Sequence, residues 1–110
     1  MSLFHSATLK PRKAEFIGDW LPTQPWGPSS TDPVVVVGAF RLDDPEGRVG
    51  LETFLVTAGT VLYQVPLTYR DAPLEGREHA LVTTAEHSVL GTRWVYDGLY
   101  DPRFVMMFAG

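Results

Sequence analysis

The sequence contains no cysteine, and Lys10 and Lys13 are its only lysines. Without cysteine, neither a disulfide framework nor a thiolate metal site can form. No apolar run approaches the length of a membrane span, and the first residues lack a signal-peptide pattern, so we expect a cytoplasmic protein without membrane contact. The charges are dispersed along a chain of formal net charge −4, which argues against a nucleic-acid partner.

The residues needed for catalysis are also scarce. Phosphoryl transfer needs a phosphate-cradling loop, a lysine, a base and carboxylates for magnesium, and no glycine-rich loop precedes a predicted helix here. No Gly-x-Ser-x-Gly elbow occurs, and the consecutive Glu86, His87 and Ser88 do not build a catalytic triad. His79 and His87 each follow a glutamate, but their spacing does not match a zinc-binding His-Glu-x-x-His motif. We therefore predict that the chain is not an enzyme and has no metal site and no cofactor; an enzyme with either histidine as base is the weaker alternative.

The strongest pattern in the chain is the alternation along residues 61–70. One phase is apolar or aromatic and predicts the buried face of a strand: Val61, Tyr63, Val65, Leu67 and Tyr69. Residues 44–47 and Ala58-Gly59 carry turn signals on either side of the preceding strand. Residues 34–42 begin with four valines and predict a further, buried strand. Together these segments predict strands joined by tight turns.

The regions flanking these strands predict two helices. Residues 12–21 follow Pro11 and carry an apolar stripe that suits packing on a sheet: Ala14, Phe16, Ile17, Trp20 and Leu21. We expect Ile17, Trp20 and Leu21 to contact four sheet residues: Val36, Leu55, Val65 and Leu67. Asp101-Pro102 predicts the cap and first residue of a C-terminal helix.

Three shorter segments complete the prediction. Residues 2–9 and 92–96 alternate and predict short strands, whereas residues 80–84 fit either a strand or one helical turn. Residues 23–33 predict a long loop. The expected fold is therefore α+β in a single domain over residues 1–110, with a curved antiparallel sheet, a helix packed on one face and a C-terminal helix.

Two groups of residues are candidates for binding. Trp26, Tyr69 and Trp94 could surround a sheet concavity and stack on a carbohydrate, although Trp26 could equally be packed back on the body of the domain. The second group belongs to the apolar final helix, which a sheet of this size covers on one side only. We therefore expect a kinase or a second copy of the chain to contact its exposed side chains: Phe104, Met106, Met107 and Phe108.

Three motifs together resemble the N-terminal cap domain of maltokinases and of the related cap-like proteins. They are Trp-Leu-Pro-Thr-Gln-Pro-Trp at residues 20–26, Tyr-Gln-Val-Pro-Leu at residues 63–67, and Tyr-Asp-x-x-x-Asp-Pro-x-Phe at residues 96–104. They occur in the family's order and span most of the chain. Pro25 departs from the pattern, which has a basic residue at that position.

The resemblance implies a curved antiparallel sheet with a helix against it, in the strand–helix–strands order likened to cystatins. It further implies a module without catalytic residues that covers the nucleotide-binding lobe of a kinase in glycogen, maltose or trehalose metabolism. The alternative function is a free-standing protein that binds a small ligand such as a carbohydrate. The two hypotheses differ in whether the protein's own helix fills the concave face of the sheet.

Overall fold

The structure is a computed structural model that describes residues 8–29, 31–43 and 49–101, with the backbone alone at residues 42 and 43. It contains one α-helix, α1, at Lys13–Trp20. The strands are β1 (Leu9–Lys10), β2 (Val34–Asp43), β3 (Val49–Ala58), β4 (Val61–Arg70), β5 (Leu81–His87) and β6 (Gly91–Asp97). Single 3-10 turns occur at Leu21–Thr23, Glu78–Ala80 and Gly98–Tyr100.

The six strands form one sheet in the order β1-β5-β6-β4-β3-β2. All neighbours are antiparallel, and the sheet curves into a half-barrel. β3 and β4 form its longest hairpin, whose turn contains Gly59 at φ +60°, a conformation that glycine adopts without strain. The predicted curved antiparallel sheet with a helix on one face is confirmed, whereas the C-terminal helix falls outside the described residues.

The helix α1 packs on one face of the sheet, which we call the helix-facing side. Phe16, Ile17 and Leu21 are buried there. Their buried sheet partners are Phe54, Val56, Val65, Leu67, Tyr69 and Val95. The predicted contact of this helix with β4 is therefore confirmed, and apolar burial on this face is the main source of stability.

Three details of that packing differ from the prediction. Ala14 is exposed, because only the side of this two-turn helix that carries Phe16 and Ile17 meets the sheet. Trp20 and Val36 are half-buried at the margin of the core rather than inside it. Leu55 was assigned to the wrong face: it alternates with the buried Phe54 and Val56 and therefore points to the opposite side.

The opposite side of the sheet has a smaller buried cluster. Val49 and Leu51 of β3 are buried there. Thr68 and Tyr96 lie in the same strand phase, since Leu51 pairs with Thr68 and Thr68 pairs with Tyr96. The sheet therefore buries side chains on both faces where β3, β4 and β6 are neighbours.

The prediction that β2 is a buried strand is wrong. β2 lies at the end of the sheet and pairs with β3 alone. Val35, Val37 and Phe40 are 50%, 57% and 51% exposed. The register shifts between Val36 and Gly38, which leaves Val37 as a bulge, a common feature of sheet edges.

The remaining elements agree with the predictions where the structure describes them. The strand predicted at residues 2–9 falls mostly outside the described residues. Its described end belongs to β1, in which Leu9 pairs with His87 of β5. The ambiguous segment 80–84 is resolved as a 3-10 turn followed by β5. The strand at residues 92–96 is confirmed as β6, and the described part of the 23–33 loop has no strand or α-helix. Within the described ranges, no helix is long and apolar enough to cross a membrane.

Truncating the centre of this core tests the packing. Ile17→Ala removes a fully buried side chain from α1, and we expect the free energy of unfolding to fall by about 2–4 kcal/mol. Asp19→Ala, on the exposed side of the same helix, is the matched control and should change stability by less than about 0.5 kcal/mol. Both values follow from urea titrations, and equal midpoints for the two variants would contradict the packing.

Candidate functional site

The three proposed ligand-binding residues do not gather on one surface. The Trp26 ring centroid lies 6.0 Å from that of Trp20 and 6.3 Å from that of Tyr63, yet the residue is 49% exposed. Tyr69 is buried on the helix-facing side. Trp94 pairs with Arg70, the residue after Tyr69, and so lies on the opposite face. Carbohydrate binding by these three side chains remains a prediction.

The four residues proposed for partner contact lie outside the described part of the chain. They are Phe104, Met106, Met107 and Phe108. Their contact with a kinase or a second copy therefore also remains a prediction.

The first sequence motif, residues 20–26, folds back on itself where α1 ends. The Thr23 hydroxyl donates a hydrogen bond to the Trp20 carbonyl oxygen (2.6 Å). The side-chain Nε2 of Gln24 donates to the Thr23 hydroxyl (3.0 Å). A Cβ atom at Gly27 would lie 2.1 Å from the Leu21 carbonyl oxygen, so only glycine fits this close approach. These contacts turn the chain so that Trp26 meets Trp20.

The last motif ends in a buried carboxylate, Asp101, which is fully buried. It accepts two hydrogen bonds from Arg70, from Nε at 2.7 Å and from Nη2 at 2.8 Å, and one from the Thr68 hydroxyl at 2.7 Å. A bidentate arginine–carboxylate pair of this geometry is among the stronger hydrogen-bonded contacts in proteins. The Asp101 carboxylate raises the pKa of Arg70 further above its usual value.

The side chains of Tyr96 and Asp97, in the same motif, also accept hydrogen bonds from the backbone of this chain. The Leu74 backbone N–H donates to the Tyr96 hydroxyl (2.7 Å), which holds the β4–β5 connection against β6. The Leu99 backbone N–H donates to the Asp97 carboxylate (3.1 Å), which caps the following 3-10 turn. Burial raises the pKa of Asp97 above its usual value. The motif therefore stabilises the end of β6.

A second buried carboxylate, Glu52, lies on the helix-facing side. Its Oε1 atom is 2.9 Å from Lys13 Nζ, accepts a hydrogen bond from the Tyr69 hydroxyl at 2.8 Å, and lies 3.8 Å from Arg41 Nη1. Burial, and then the charge of Glu52, raise the pKa of Tyr69 well above its usual value. This tyrosine is therefore a neutral hydrogen-bond donor to Glu52.

Sequence reasoning missed both buried carboxylates. Asp101 was interpreted as a helix cap from the proline that follows it, although its partners lie 31 and 33 residues earlier. Thr68 stands between Leu67 and Tyr69 in sequence, but its side chain belongs to the opposite face of β4. A threonine at this position is the sequence signal for a polar contact on that face. Glu52 interrupts the apolar sequence around Leu51 and Phe54, and a charge in that position indicates a buried ion pair. Neither group forms a metal site with its neighbours: within residues 8–29, 31–43 and 49–101, no three His, Asp or Glu residues are placed to hold a metal ion.

Exposed apolar residues form a further candidate site, which we call the β2 surface: Val35, Val37, Phe40 and Leu62. Val35 pairs with Thr57, and Thr57 pairs with Leu62, so Val35 and Leu62 lie on the same side of the sheet. The outer edge of β2 is not paired by another described strand. Exposed apolar groups beside an open edge are typical of surfaces that contact other proteins.

Comparison with known proteins identifies a family that this chain matches. The family model for the maltokinase N-terminal cap domain matches residues 20–101. This range includes the two tryptophans at residues 20 and 26, the β4 motif and the buried carboxylate at residue 101. No curated protein and no solved structure matches the chain, and the likeness to cystatins therefore rests on the resemblance alone.

Replacing the buried carboxylate by its amide tests the Asp101 contact. Asp101→Asn keeps the shape but loses the charge and one acceptor for Arg70, and we expect a loss of about 3 kcal/mol in unfolding free energy. Asp71→Asn is the control, since this exposed carboxylate also raises the pKa of Arg70 and should cost less than about 0.5 kcal/mol. If urea titration gave the same midpoint for both variants, the contact would not stabilise the fold.

Proposed function

Because the chain belongs to the family of maltokinase N-terminal cap domains, we propose that it is a non-catalytic cap-like module that acts by contact with a kinase or another partner. The observation that carries this proposal is the family match over residues 20–101. The partner's process would be glycogen, maltose or trehalose metabolism, as the resemblance of the three sequence motifs implies. The cystatin-like character of the fold is part of the same proposal.

The use of the motif residues supports a structural role. Trp20 and Trp26 contact each other at the end of α1, and Asp101 binds Arg70 across the sheet. Tyr96 holds the β4–β5 connection. Residues that bind inside their own domain fix its shape, whereas phosphoryl transfer requires side chains and backbone groups that converge on a nucleotide and its magnesium ions. A domain of this kind contributes a surface to its partner.

The β2 surface is the contact region that we favour among the described residues. It combines exposed Phe40 and Val37 with an open strand edge, and aromatic side chains are enriched in the centres of protein interfaces. The apolar residues Phe104, Met106, Met107 and Phe108 belong to the same proposal, as a second region that contacts the kinase or another copy of the chain.

The alternative function as a free-standing carbohydrate binder has less support. That hypothesis needs an open concave face, and α1 fills the helix-facing side with Phe16, Ile17 and Leu21. Tyr69 is buried beneath the helix, and its hydroxyl is bonded to Glu52. We therefore favour the cap-like function.

The non-catalytic part of the proposal can be tested directly. The purified chain should not phosphorylate maltose, glucose or glucosamine with any nucleoside triphosphate, because its sequence has no glycine-rich phosphate-binding loop before a helix. The measurement is transfer of radiolabelled γ-phosphate to each sugar. Turnover that one point substitution in the chain abolishes would contradict the proposal, since a contaminating kinase would be unaffected by that substitution.

The contact itself can be tested by site-specific photocrosslinking in cells that produce the protein. A photoreactive phenylalanine analogue replaces Phe40 on the β2 surface, and we expect it to crosslink to a kinase identified by mass spectrometry. The matched control places the same analogue at Val89, another exposed apolar position, between β5 and β6. Equal crosslinking of the kinase from both positions would argue against the β2 surface. If the crosslinked products contained only a second copy of the chain, the β2 surface would mediate self-association and not contact with a kinase.

A further inference from the structure

Three cations surround Tyr69 at one end of the helix-facing side, and we call Lys13, Arg41 and Arg93 the basic cluster. Lys13 Nζ lies 5.5 Å from the centroid of the Tyr69 ring, and Arg41 Cζ lies 5.8 Å from it. Arg93 Nη2 donates a hydrogen bond to the Tyr69 carbonyl oxygen at 3.2 Å. Residues from α1, β2 and β6 therefore meet around one residue of β4.

The sheet register explains how these cations come together. Arg41 pairs with Glu52, and Tyr69 pairs with Val95, whose side chain is in the core under α1. Arg93 precedes Val95 by two positions and therefore lies on the same side of the sheet. The cluster thus lies on the helix-facing side, next to Lys13, the first residue of α1.

Glycine at position 50 makes room for the Arg41 guanidinium. Gly50 pairs with Tyr69, and a Cβ atom built on it would lie 3.0 Å from Arg41 Nη2 and 3.3 Å from the Tyr69 ring. Both distances are shorter than an ordinary van der Waals contact between such atoms. A side chain at position 50 would therefore crowd both the Arg41 guanidinium and the ring.

Among the described side chains, one carboxylate forms ion pairs with the cluster. Glu52 supplies one carboxylate, and its Oε1 atom contacts both Lys13 at 2.9 Å and Arg41 at 3.8 Å. Among the described residues, no carboxylate oxygen lies within 4.0 Å of the half-buried Arg93 guanidinium. Burial lowers the pKa of Arg93, and Arg41 lowers it further, although Asp71 acts in the opposite direction.

His87 on the neighbouring strand β5 experiences the same positive field. Burial lowers its pKa, and the charges of Arg93, Lys13 and Arg41 lower it further. This agrees with the geometry: the three cations act together on one neighbouring group. The three cations thus shift the pKa of His87 in the same direction, although the whole chain carries a formal net charge of −4.

We propose that the basic cluster binds a small ligand through a phosphate group. Arginine offers paired N–H donors that match phosphate oxygens, and lysine adds a compact positive charge. The side chains of Lys13 and Arg41 are 36% and 51% exposed, so both reach solvent. A small anion suits the site better than a nucleic acid or an anionic membrane, because the surrounding chain is acidic and would repel an extended polyanion.

Titration with inorganic phosphate at constant ionic strength tests the site. We expect saturable shifts of the Arg41 and Arg93 Nε–H signals in NMR spectra of the whole chain, while chloride at the same ionic strength produces none. Arg41→Gln and Arg93→Gln should each weaken phosphate binding about tenfold, the scale of one lost charge-assisted hydrogen bond. Arg77→Gln is the matched control, because this exposed arginine donates instead to the Tyr100 carbonyl oxygen in the 3-10 turn after β6.

Comparison of ligands then distinguishes free phosphate from a phosphate ester. A hexose monophosphate and a nucleoside monophosphate that compete with inorganic phosphate would support the site, and the tighter one would identify the class of ligand. A hexose or nucleoside without phosphate that binds equally well would overturn the proposal. The proposal would also be overturned if chloride produced the same NMR shifts as phosphate. Equal phosphate affinity of the Arg41→Gln, Arg93→Gln and Arg77→Gln variants would overturn it as well. If Arg93→Gln failed to fold, the half-exposed Arg41→Gln would decide the question.

Discussion

The contact between one short helix and a much wider sheet is the constraint on which the rest of the structure depends. Six adjacent strands span about 24 Å, whereas a helix is only about 10 Å across. A flat sheet would leave its outer strands uncovered, and the observed sheet curves instead. As a result, Leu9 and Val82 from one end and Val34 and Val36 from the other all pack against the core. Curvature thus allows an eight-residue helix to complete the core.

The same constraint gives the two ends of α1 different surroundings. At its C-terminal end the chain turns sharply, and Trp20, Trp26 and Tyr63 form an aromatic group. At its N-terminal end Lys13 extends over Tyr69 and pairs with the buried Glu52. Apolar shape therefore dominates one end of the helix-facing side, and charge dominates the other.

Local patterns predicted the elements well, but the placement of those elements depends on contacts far apart in sequence. The alternation around Val65 and Leu67 identified β4 because a period of two is a local property. The valines of β2 looked buried because composition cannot show that a strand lies at a sheet edge. The basic cluster was missed since Lys13, Arg41 and Arg93 are scattered along the sequence, and only the sheet register together with the packing of α1 brings them close to each other. The same limit applies to Asp101, whose local signal was a helix cap.

The Asp101 contact also determines where force enters the domain. Asp101 follows β6 and is bonded to Thr68 and Arg70 of β4, and β4 and β6 are neighbours in the middle of the sheet. Tension on the chain after this residue would load the two central strands before it reached either edge. The contact therefore ties the last described residue to the middle of the sheet rather than to one of its edges.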